Sequence, residues 1–533
     1  MRSKVSGRGG GGRGLVERAR FVVVSVVSCL LGAAGGVAQE GAITRGPYLQ
    51  SLLEDSVKVV WLTEEESIGS VRVRAEGQPP RVVVESDADT RHELRIAGLA
   101  PGSEYAYEVL VDDEVVAAGE ELRFRTAPRA GTGSFRAVVI GDSGSASFGF
   151  QPAVTEVLDR LEPDLFLHAG DYVYDGSIDE VFFDEYRGLL RRCGVFAARG
   201  NHDGIRPQDW YELFSPPPVD VRLRHCELPE QLCGENPPGD FVIPDPGVAT
   251  YYSFDWGPVH FSVVDSNADL EECSPQLRWL CADLAAANER EMPWKVILLH
   301  HPVYTMGLYA ISRHAANRLL PPLADRYGVD LVFNGHDHNY QRSHPVRGGR
   351  VVDPWRGPDF GRPGGTVYIV TGGGGTILYT ELPEAEFRPL FAAFRSVHHA
   401  VELEASVDRL VLRAHAADED GPFDEMSISK VAQETVPGFR RGDTNFDGDI
   451  DIADGVALLN VLFLGQESAC RSAFDVVADV NRSDRVDIAD ASFVFGYLFL
   501  GGPSPGEPLE RCEASPNIDA SECHLVGCEL PQG

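Results

Sequence analysis

A chain of 533 residues is too long for one ordinary domain and leaves room for roughly two to four. Hydrophobic residues make up 43% and charged residues 24%, as in globular domains that bury a core. The formal charge of -34 argues against a nucleic-acid backbone binder, which needs a basic face; a site for anionic substrates here needs strong local positive charge, for which metal ions are the obvious source.

Residues 1–38 read as a targeting segment. Arg2, Lys4, Arg8, Arg13, Arg18 and Arg20 form a basic start, an apolar run follows from Phe21 to Ala34, and Gly36-Val37-Ala38 offers a cleavage site before Gln39. The run is short for a membrane span, so a cleaved signal peptide is expected, with an uncleaved anchor as the other reading; no other stretch is long and apolar enough to span a bilayer. The expected location is secreted: periplasmic or extracellular. Export permits disulfides. Beyond Cys29 there are nine cysteines: Cys193, Cys226, Cys233, Cys273, Cys281, Cys470, Cys512, Cys523 and Cys528. Cys226 with Cys233, and Cys273 with Cys281, could close small loops, but spacing does not fix the pairing and an odd number leaves one thiol over. None has tight zinc-site spacing, so they read as structural.

Residues 44–128 predict an all-β domain. Val57–Trp61, Val71–Arg74, Glu93–Ile96 and Tyr105–Val109 are short, mostly alternating runs separated by Gly, Pro and Asp turns, the spacing of a β-sandwich. The turn Leu99-Ala100-Pro101-Gly102-Ser103-Glu104-Tyr105 resembles fibronectin type III domains. From 134 to 415 apolar strands alternate with helix-period stretches, an α/β pattern. The strands are Val138–Ile140, Leu165–Leu167, Val195–Ala197, Val296–Leu299, Leu331–Phe333 and Val367–Val370; the helices are Pro152–Leu161, Pro275–Asn288 and Ala315–Tyr327. A Pro-rich stretch at 207–249 reads as a surface insertion next to the site.

The chemistry lies where these strands end. Apolar runs are followed by Gly141-Asp142, Gly170-Asp171-Tyr172-Val173-Tyr174, Gly200-Asn201-His202-Asp203, His300-His301-Pro302 and Gly335-His336-Asp337-His338. In open α/β sheets, sites form outside the carboxyl ends of strands, so these ends converge on one crevice. Glycine before a ligand lets the backbone turn sharply and leaves room for a metal. The run Gly372–Gly375 lacks the Lys-Ser/Thr of a P-loop and is expected to let the backbone pass close to the same site.

This ordered set resembles the calcineurin-like metallophosphoesterases. Tyr174, and an upstream β-sandwich opening with Arg45-Gly46-Pro47-Tyr48-Leu49-Gln50, narrow the resemblance to the purple acid phosphatases. The resemblance implies two metals sharing one carboxylate: Asp142, Asp171, Tyr174 and His338 on the first, Asp171, Asn201, His300 and His336 on the second. Carboxylate and phenolate suit Fe3+, and the His-rich set suits Fe2+, Zn2+ or Mn2+. Water ionised on such a pair would attack the phosphate ester. By the same resemblance His202 would bind the phosphate or protonate the leaving group, and His314 is a second candidate proton donor in a local sequence that departs from the commoner form. Arg342 is expected to order its loop, and no ligand role falls to His301, His398 or His399.

Residues 442–502 hold an internal repeat 36 residues apart, followed by a Cys-containing tail at 503–533. Asp443, Asn445, Asp447, Asp451 and Asp454 occupy positions 1, 3, 5, 9 and 12 of the first loop, with Gly448 at position 6; Asp479, Asn481, Ser483, Asp487 and Asp490 occupy the second, where Asp484 replaces the glycine. Oxygen ligands so spaced suit Ca2+, more strongly in the first loop. The pair resembles dockerin type I modules, which implies an α-helical calcium module with a protein partner. The sequence as a whole points to a secreted binuclear-metal phosphatase acting on phosphate monoesters, an acid phosphatase. A phosphodiesterase on the same core and a non-catalytic adhesion or scaffold protein are the alternatives.

Overall fold

The computed structural model describes residues 43–203, 210, 213–218, 228, 232, 250–268, 270–311, 314–352, 359–360, 364–430, 438–439, 441–445, 450–466, 471–483, 485–505 and 513–514. The leader, most of the 207–249 insertion, Asp447, Gly448, Asp484, Cys226, Cys233, Cys470 and the tail cysteines lie outside the described residues. The chain divides into two units, one ending at Lys430 and one beginning at Val431.

The first unit opens with two antiparallel sheets. Ile43–Gln50, Ser56–Ser67 and Asp89–Ala97 make one; Arg81–Val84, Gly69–Arg74, Glu104–Val111 and Glu114–Ala117, with Arg123–Arg125 paired to Glu104–Val111, make the other. Period-two patterning drives this. In Asp89–Ala97 the side chains of His92, Leu94 and Ile96 are buried while those of Arg91, Glu93 and Arg95 turn outward. The turn after Leu99 is closed by Tyr105, whose hydroxyl accepts from the Ala100 N–H at 2.8 Å. The opening strand is fastened to the next domain: Tyr48 Oη donates to Leu213 O (3.2 Å), Ser51 Oγ to Ser215 O (2.6 Å), and Arg45 pairs with Asp179.

The next domain holds two seven-stranded sheets. The first runs Gly194–Ala197, Leu165–His168, Ser134–Ile140, His399–Ser406, Arg409–Ala416, Pro422–Ser429, Asp359–Phe360; the second runs Tyr252–Trp256, Val259–Val263, Trp294–Leu298, Leu331–Asn334, Val367–Thr371, Tyr340–Ser343, Phe391–Arg395. Alternation along the second sheet splits its side chains between two cores. Val296, Leu298, Leu331, Phe333, Val367 and Ile369 join the core that also takes the first sheet, whereas Ile297, Leu299, Val332 and Tyr368 join Leu277, Leu280, Leu284, Leu319, Leu320 and Leu323 of helices Pro275–Glu289 and Ala315–Tyr327. Helix starts and stops follow local chemistry. Ser274 caps the first of these helices by accepting from Leu277 N, and Gly328, with φ of 62°, ends the second.

The sequence reading closed this domain at 415, but Pro422–Ser429 continues the first sheet antiparallel to Arg409–Ala416. Its alternation is obscured because Asp424 sits within it as the partner of Arg342, whose Nε and Nη2 donate at 2.6 and 2.8 Å. Arg342 thus ties two strands together. His399 is likewise structural: it is buried, with Nε2 3.0 Å from Thr371 Oγ1. Among the described residues Cys193 is a free buried thiol, and Cys273 and Cys281 are disulfide-bonded.

In the second unit, helices Ile452–Leu464 and Ile488–Leu500 repeat one design. Asp451 and Asp487 are the N-caps, Asp454 and Asp490 close capping boxes onto them, and Gly465 and Gly501 end each helix in the left-handed region. Leu458, Phe474, Val477, Ala478 and Ala491 form the small core between these helices and Arg471–Ala478.

Candidate metal centre

Strands of both sheets deliver their carboxyl ends to one place. Ile140 leads to Asp142, His168 to Asp171 and Tyr174, Ala197 to Asn201, Leu298 to His300, and Asn334 to His336 and His338. Asp142, Asp171 and His336 adopt φ of 60°, 57° and 70°, a left-handed backbone that non-glycine residues adopt at a cost of about 1–3 kcal/mol and that gathers at functional sites. The glycines leave the space this needs: a Cβ on Gly200 would stand 2.0 Å from Asp171 Oδ1, and one on Gly335 would stand 2.5 Å from Asp142 Oδ2. Gly372 passes as closely, its Cβ position 2.9 Å from Asp142 Oδ2.

Two donor sets result, and both touch Asp171. In one, Tyr174 Oη lies 2.8 Å from Asp142 Oδ1, 2.9 Å from Asp171 Oδ2 and 2.9 Å from His338 Nε2. In the other, His300 Nε2 lies 2.9 Å from Asn201 Oδ1, 3.2 Å from His336 Nδ1 and 3.3 Å from Asp171 Oδ2. The seven side chains named from the sequence as ligands are therefore brought together. His300 and His338 are aimed from outside, their Nδ1 atoms 2.8 Å from Ala169 O and 2.6 Å from Ile377 O, which turns Nε2 of each inward.

Counting protons tests whether these residues fit metal ions. The single hydroxyl proton of Tyr174 faces three acceptors. In the other set burial alone would lower His300, but the Asp171 carboxylate outweighs it and raises His300 to about 9, so a proton on Nε2 pairs with Asp171. Acceptors outnumber protons around Tyr174, and in the second set the extra proton on His300 stands where a cation would sit, so metal ions would satisfy the first set and displace a proton from the second. The electrostatics agree. Burial, then the charges of Asp142 and Asp171, push the Tyr174 phenol well above its ordinary value, so a phenolate there calls for a cation. Burial, then the neighbouring His300, pushes His336 down to about 3, which keeps it a neutral imidazole. Asp171, His300 and His336 offer ligand atoms all within 4.8 Å of one another.

His202 is exposed beside this cluster. Its backbone N–H donates to Asp171 Oδ1 at 2.7 Å and its ring lies 4.6 Å from that of Tyr174. His314 is half-buried at the start of Ala315–Tyr327. Its Nδ1 accepts from Ala316 N at 3.2 Å, so its ring proton sits on Nε2, and the ring is stacked 4.2 Å from His301. Four residues escaped the sequence reading. Asp203 accepts from Gly200, Tyr172 and Asp171 N–H groups at 2.5, 2.9 and 3.1 Å and so ties two ligand loops together; burial, then the Asp171 charge, raises its carboxyl to about 7. Asp337 anchors the loop that begins at Thr305. Tyr309 and Tyr379 lie 3.9 and 4.1 Å from the rings of His336 and His338. Only the position of Asp203 and Asp337 inside ligand motifs could have signalled them.

The acidic loops of the second unit are arranged differently. Asp454 Oδ1 accepts from Thr444 and Asn445 N–H groups at 2.7 and 3.2 Å, and Asp490 Oδ1 from Asn481 N at 3.1 Å. Asp479 Oδ1 accepts from Ser483 N at 2.8 Å, while Ser483 Oγ turns to Arg485 O at 3.0 Å. Asp443 is buried, and Asp451 and Asp487 serve as helix caps.

Residues 135–340 match the calcineurin-like phosphoesterase family. A relative named probable inactive purple acid phosphatase 1, from Arabidopsis thaliana, is 26% identical over 387 residues, covering 66% of this chain and 60% of its own length. Purple acid phosphatase 15 of the same plant is 29% identical over 309 residues, covering 53% of each. The chain thus spans about half to 60% of the length of these relatives. The structure of the purple acid phosphatase PPD1 from yellow lupin (Lupinus luteus) seeds aligns with a TM-score of 0.58 at 19% identity, over 72% of this chain and 74% of that one, a likeness of fold. The domain built around the crevice is a calcineurin-like metallophosphoesterase fold with purple acid phosphatases among its homologues.

Proposed function

We propose that the protein hydrolyses phosphate monoesters at a two-metal centre, in the manner of an acid phosphatase. Asp142, Asp171, Tyr174 and His338 would hold one ion, and Asp171, Asn201, His300 and His336 the other. The observation that carries this is the pair of donor sets joined at Asp171. The carboxylate and phenol of the first suit Fe3+; the imidazoles of the second suit Zn2+, Mn2+ or Fe2+. When bound, such ions supply positive charge for the phosphate oxygens and acidify water.

The chain's own residues do the rest. His202, exposed beside Tyr174, hydrogen-bonds the phosphate or passes a proton to the departing oxygen. His314 offers an Nε2 proton from the other side of His301. Asp203 and the backbone carbonyls behind His300 and His338 hold the donors in place. Three of the relatives are named probable inactive, but every residue of both donor sets is present in this chain, which favours activity.

Other parts of the reading are proposals of the same kind. Secretion agrees with the disulfides at Cys273 and Cys281, and no helix among the described residues is long and apolar enough to cross a membrane. The fibronectin type III likeness is supported by the Tyr105 hydroxyl that closes onto the Ala100 backbone. Ca2+ in the two C-terminal loops and a protein partner for that unit rest on the repeat alone.

Metal analysis and hydrolysis of p-nitrophenyl phosphate beside its bis ester test the proposal. Two ions per chain and preference for the monoester are expected. Preference for the bis ester would make the protein a phosphodiesterase, and hydrolysis of neither by the two-metal form would favour a scaffold. A visible absorption band lost in Tyr174→Phe would assign iron to that phenolate.

A further inference from the structure

Next to the metal centre lies a cavity of about 300 Å3. His336 and His314 form part of its wall, and Val303, Tyr309, Ala310 and Phe387 are among the other lining residues. Several of these side chains present flat faces. The Tyr309 ring lies 3.9 Å from that of His336, and the His314 ring lies against His301 with an interplanar angle of 7°. Among the described residues the lining contains no Asp, Glu, Lys or Arg; besides Tyr309, its polar members are His301, Thr305, Asn317 and the histidines His314 and His336.

The wall that carries Tyr309 is rigidly joined to the metal-ligand loop. Thr305 Oγ1 donates to Asp337 Oδ2 at 2.5 Å, the Tyr309 N–H donates to Asp337 Oδ1 at 3.3 Å, and the Met306 N–H donates to Gln341 Oε1 at 2.8 Å. A Cβ on Gly307 would stand 2.6 Å from the Asp337 carboxylate, so the loop wraps tightly around it. Asp337 lies between His336 and His338 in sequence. The distance from the donor sets to Tyr309 is therefore fixed before any ligand arrives, which keeps the ordering cost of binding small.

We propose that this cavity receives the leaving group and selects phosphate esters of planar aromatic groups. The proposal rests on the phosphatase reading above. An ester whose phosphorus lies at the donor sets has the cavity as its apolar neighbour on the His336 side. A flat ring entering the cavity packs against the rings of Tyr309, His314 and Phe387, whereas a polyol would lose its hydration and gain few partners.

Benzyl phosphate and n-butyl phosphate, two primary esters of similar leaving-group acidity, test this on the full-length metal-loaded protein. A kcat/KM ratio of at least about tenfold in favour of benzyl phosphate is expected. Ala310→Phe, which fills the cavity without removing a core ring, and Phe387→Ala, which strips its wall, are each expected to bring the ratio towards one. Circular dichroism and Tm report whether each variant folds. A ratio near one in the unmodified protein, with both esters hydrolysed, overturns the subsite and leaves the phosphatase reading standing. If neither ester is hydrolysed the phosphatase reading falls, and binding of the two matching phosphonates decides the subsite: equal affinity overturns it, and tighter binding of benzylphosphonate that Ala310→Phe abolishes supports it.

Discussion

Two buried clusters of aspartate and histidine sit in this domain, and they differ in how their protons are shared. In the first, His260 lies between Asp255 and Asp283, with Nδ1 2.6 Å from one carboxylate and Nε2 2.9 Å from the other. Asp283 also accepts from Ser253 and Ser262 hydroxyls at 2.6 Å each, and Asp255 from Arg290 at 3.2 Å. Burial alone would lower the imidazole, but Asp283 and Asp255 outweigh it and raise His260 to about 9. A doubly protonated ring thus donates at both ends, and this cluster is complete. In the second, at the metal centre, each oriented imidazole spends one nitrogen on a backbone carbonyl and turns the other inward, His338 toward the Tyr174 hydroxyl and His300 toward Asn201 and Asp171. Composition does not separate the two. Nor does the imidazole charge, since against burial Asp171 raises His300 to about 9 as well. What separates them is the neighbours. His260 is enclosed by two carboxylates that hydroxyls and Arg290 also satisfy. His300 instead shares Asp171 with Asn201, His336 and Tyr174, neutral ligand groups, and the atoms around Tyr174 are short of protons in a way that a cation can use.

The largest effect should come from breaking the incomplete cluster at its shared member. Asp171→Asn removes one charge common to both donor sets, so both ions should be lost together and kcat/KM should fall by roughly a thousandfold or more. Metal content measured alongside activity checks this; retention of both ions with unaltered turnover would break the reading of the site. The complete cluster should respond in stability instead. His260→Gln leaves the Asp283 carboxylate buried without its cation, a loss of about 3–5 kcal/mol in unfolding free energy by denaturant titration. Turnover per folded molecule should not change, because His260 belongs to none of the donor sets.

The same contrast explains what could be read from the chain. The metal centre was legible because the ligands cluster where apolar strands end, four of them directly after a glycine, as in Gly141-Asp142 and Gly335-His336; local sequence and site geometry coincide there. The strands Val138–Ile140 and Val296–Leu299 and the helix Ala315–Tyr327 were legible from periodicity. The His260 cluster was not, because its members come from a strand, the strand before it and a helix, and His260 within Val-His-Phe-Ser-Val reads only as one residue of an apolar run. Tyr309 was hidden for a related reason: it reaches His336 through the contacts of Asp337 with Thr305, which no spacing encodes. Tyr340–Ser343 was not read as a strand, although it is held on both sides, by Val367–Thr371 and Phe391–Arg395. Long-range pairing, rather than local propensity, decided each of these.

The smallest of the expected effects is the most specific to the comparison. His260 has a folded value of about 9 against an ordinary value near 6.5, so the folded state holds the proton more tightly than the unfolded chain does. The stability it contributes is fully present below about pH 6.5 and is lost as pH rises through about 9. Unfolding free energy should therefore fall by about 3 kcal/mol across that window, from the size of the shift and 1.36 kcal/mol per pH unit. His260→Gln has no such proton to release, so its stability should be nearly flat over the same range, and the two curves should converge at the alkaline end. Denaturant titrations at pH 6, 7.5 and 9 measure this directly. Parallel curves would mean that His260 is neutral in the folded protein and that the cluster is not closed by charge; converging curves would mean that it carries its own cation and leaves no vacancy for another.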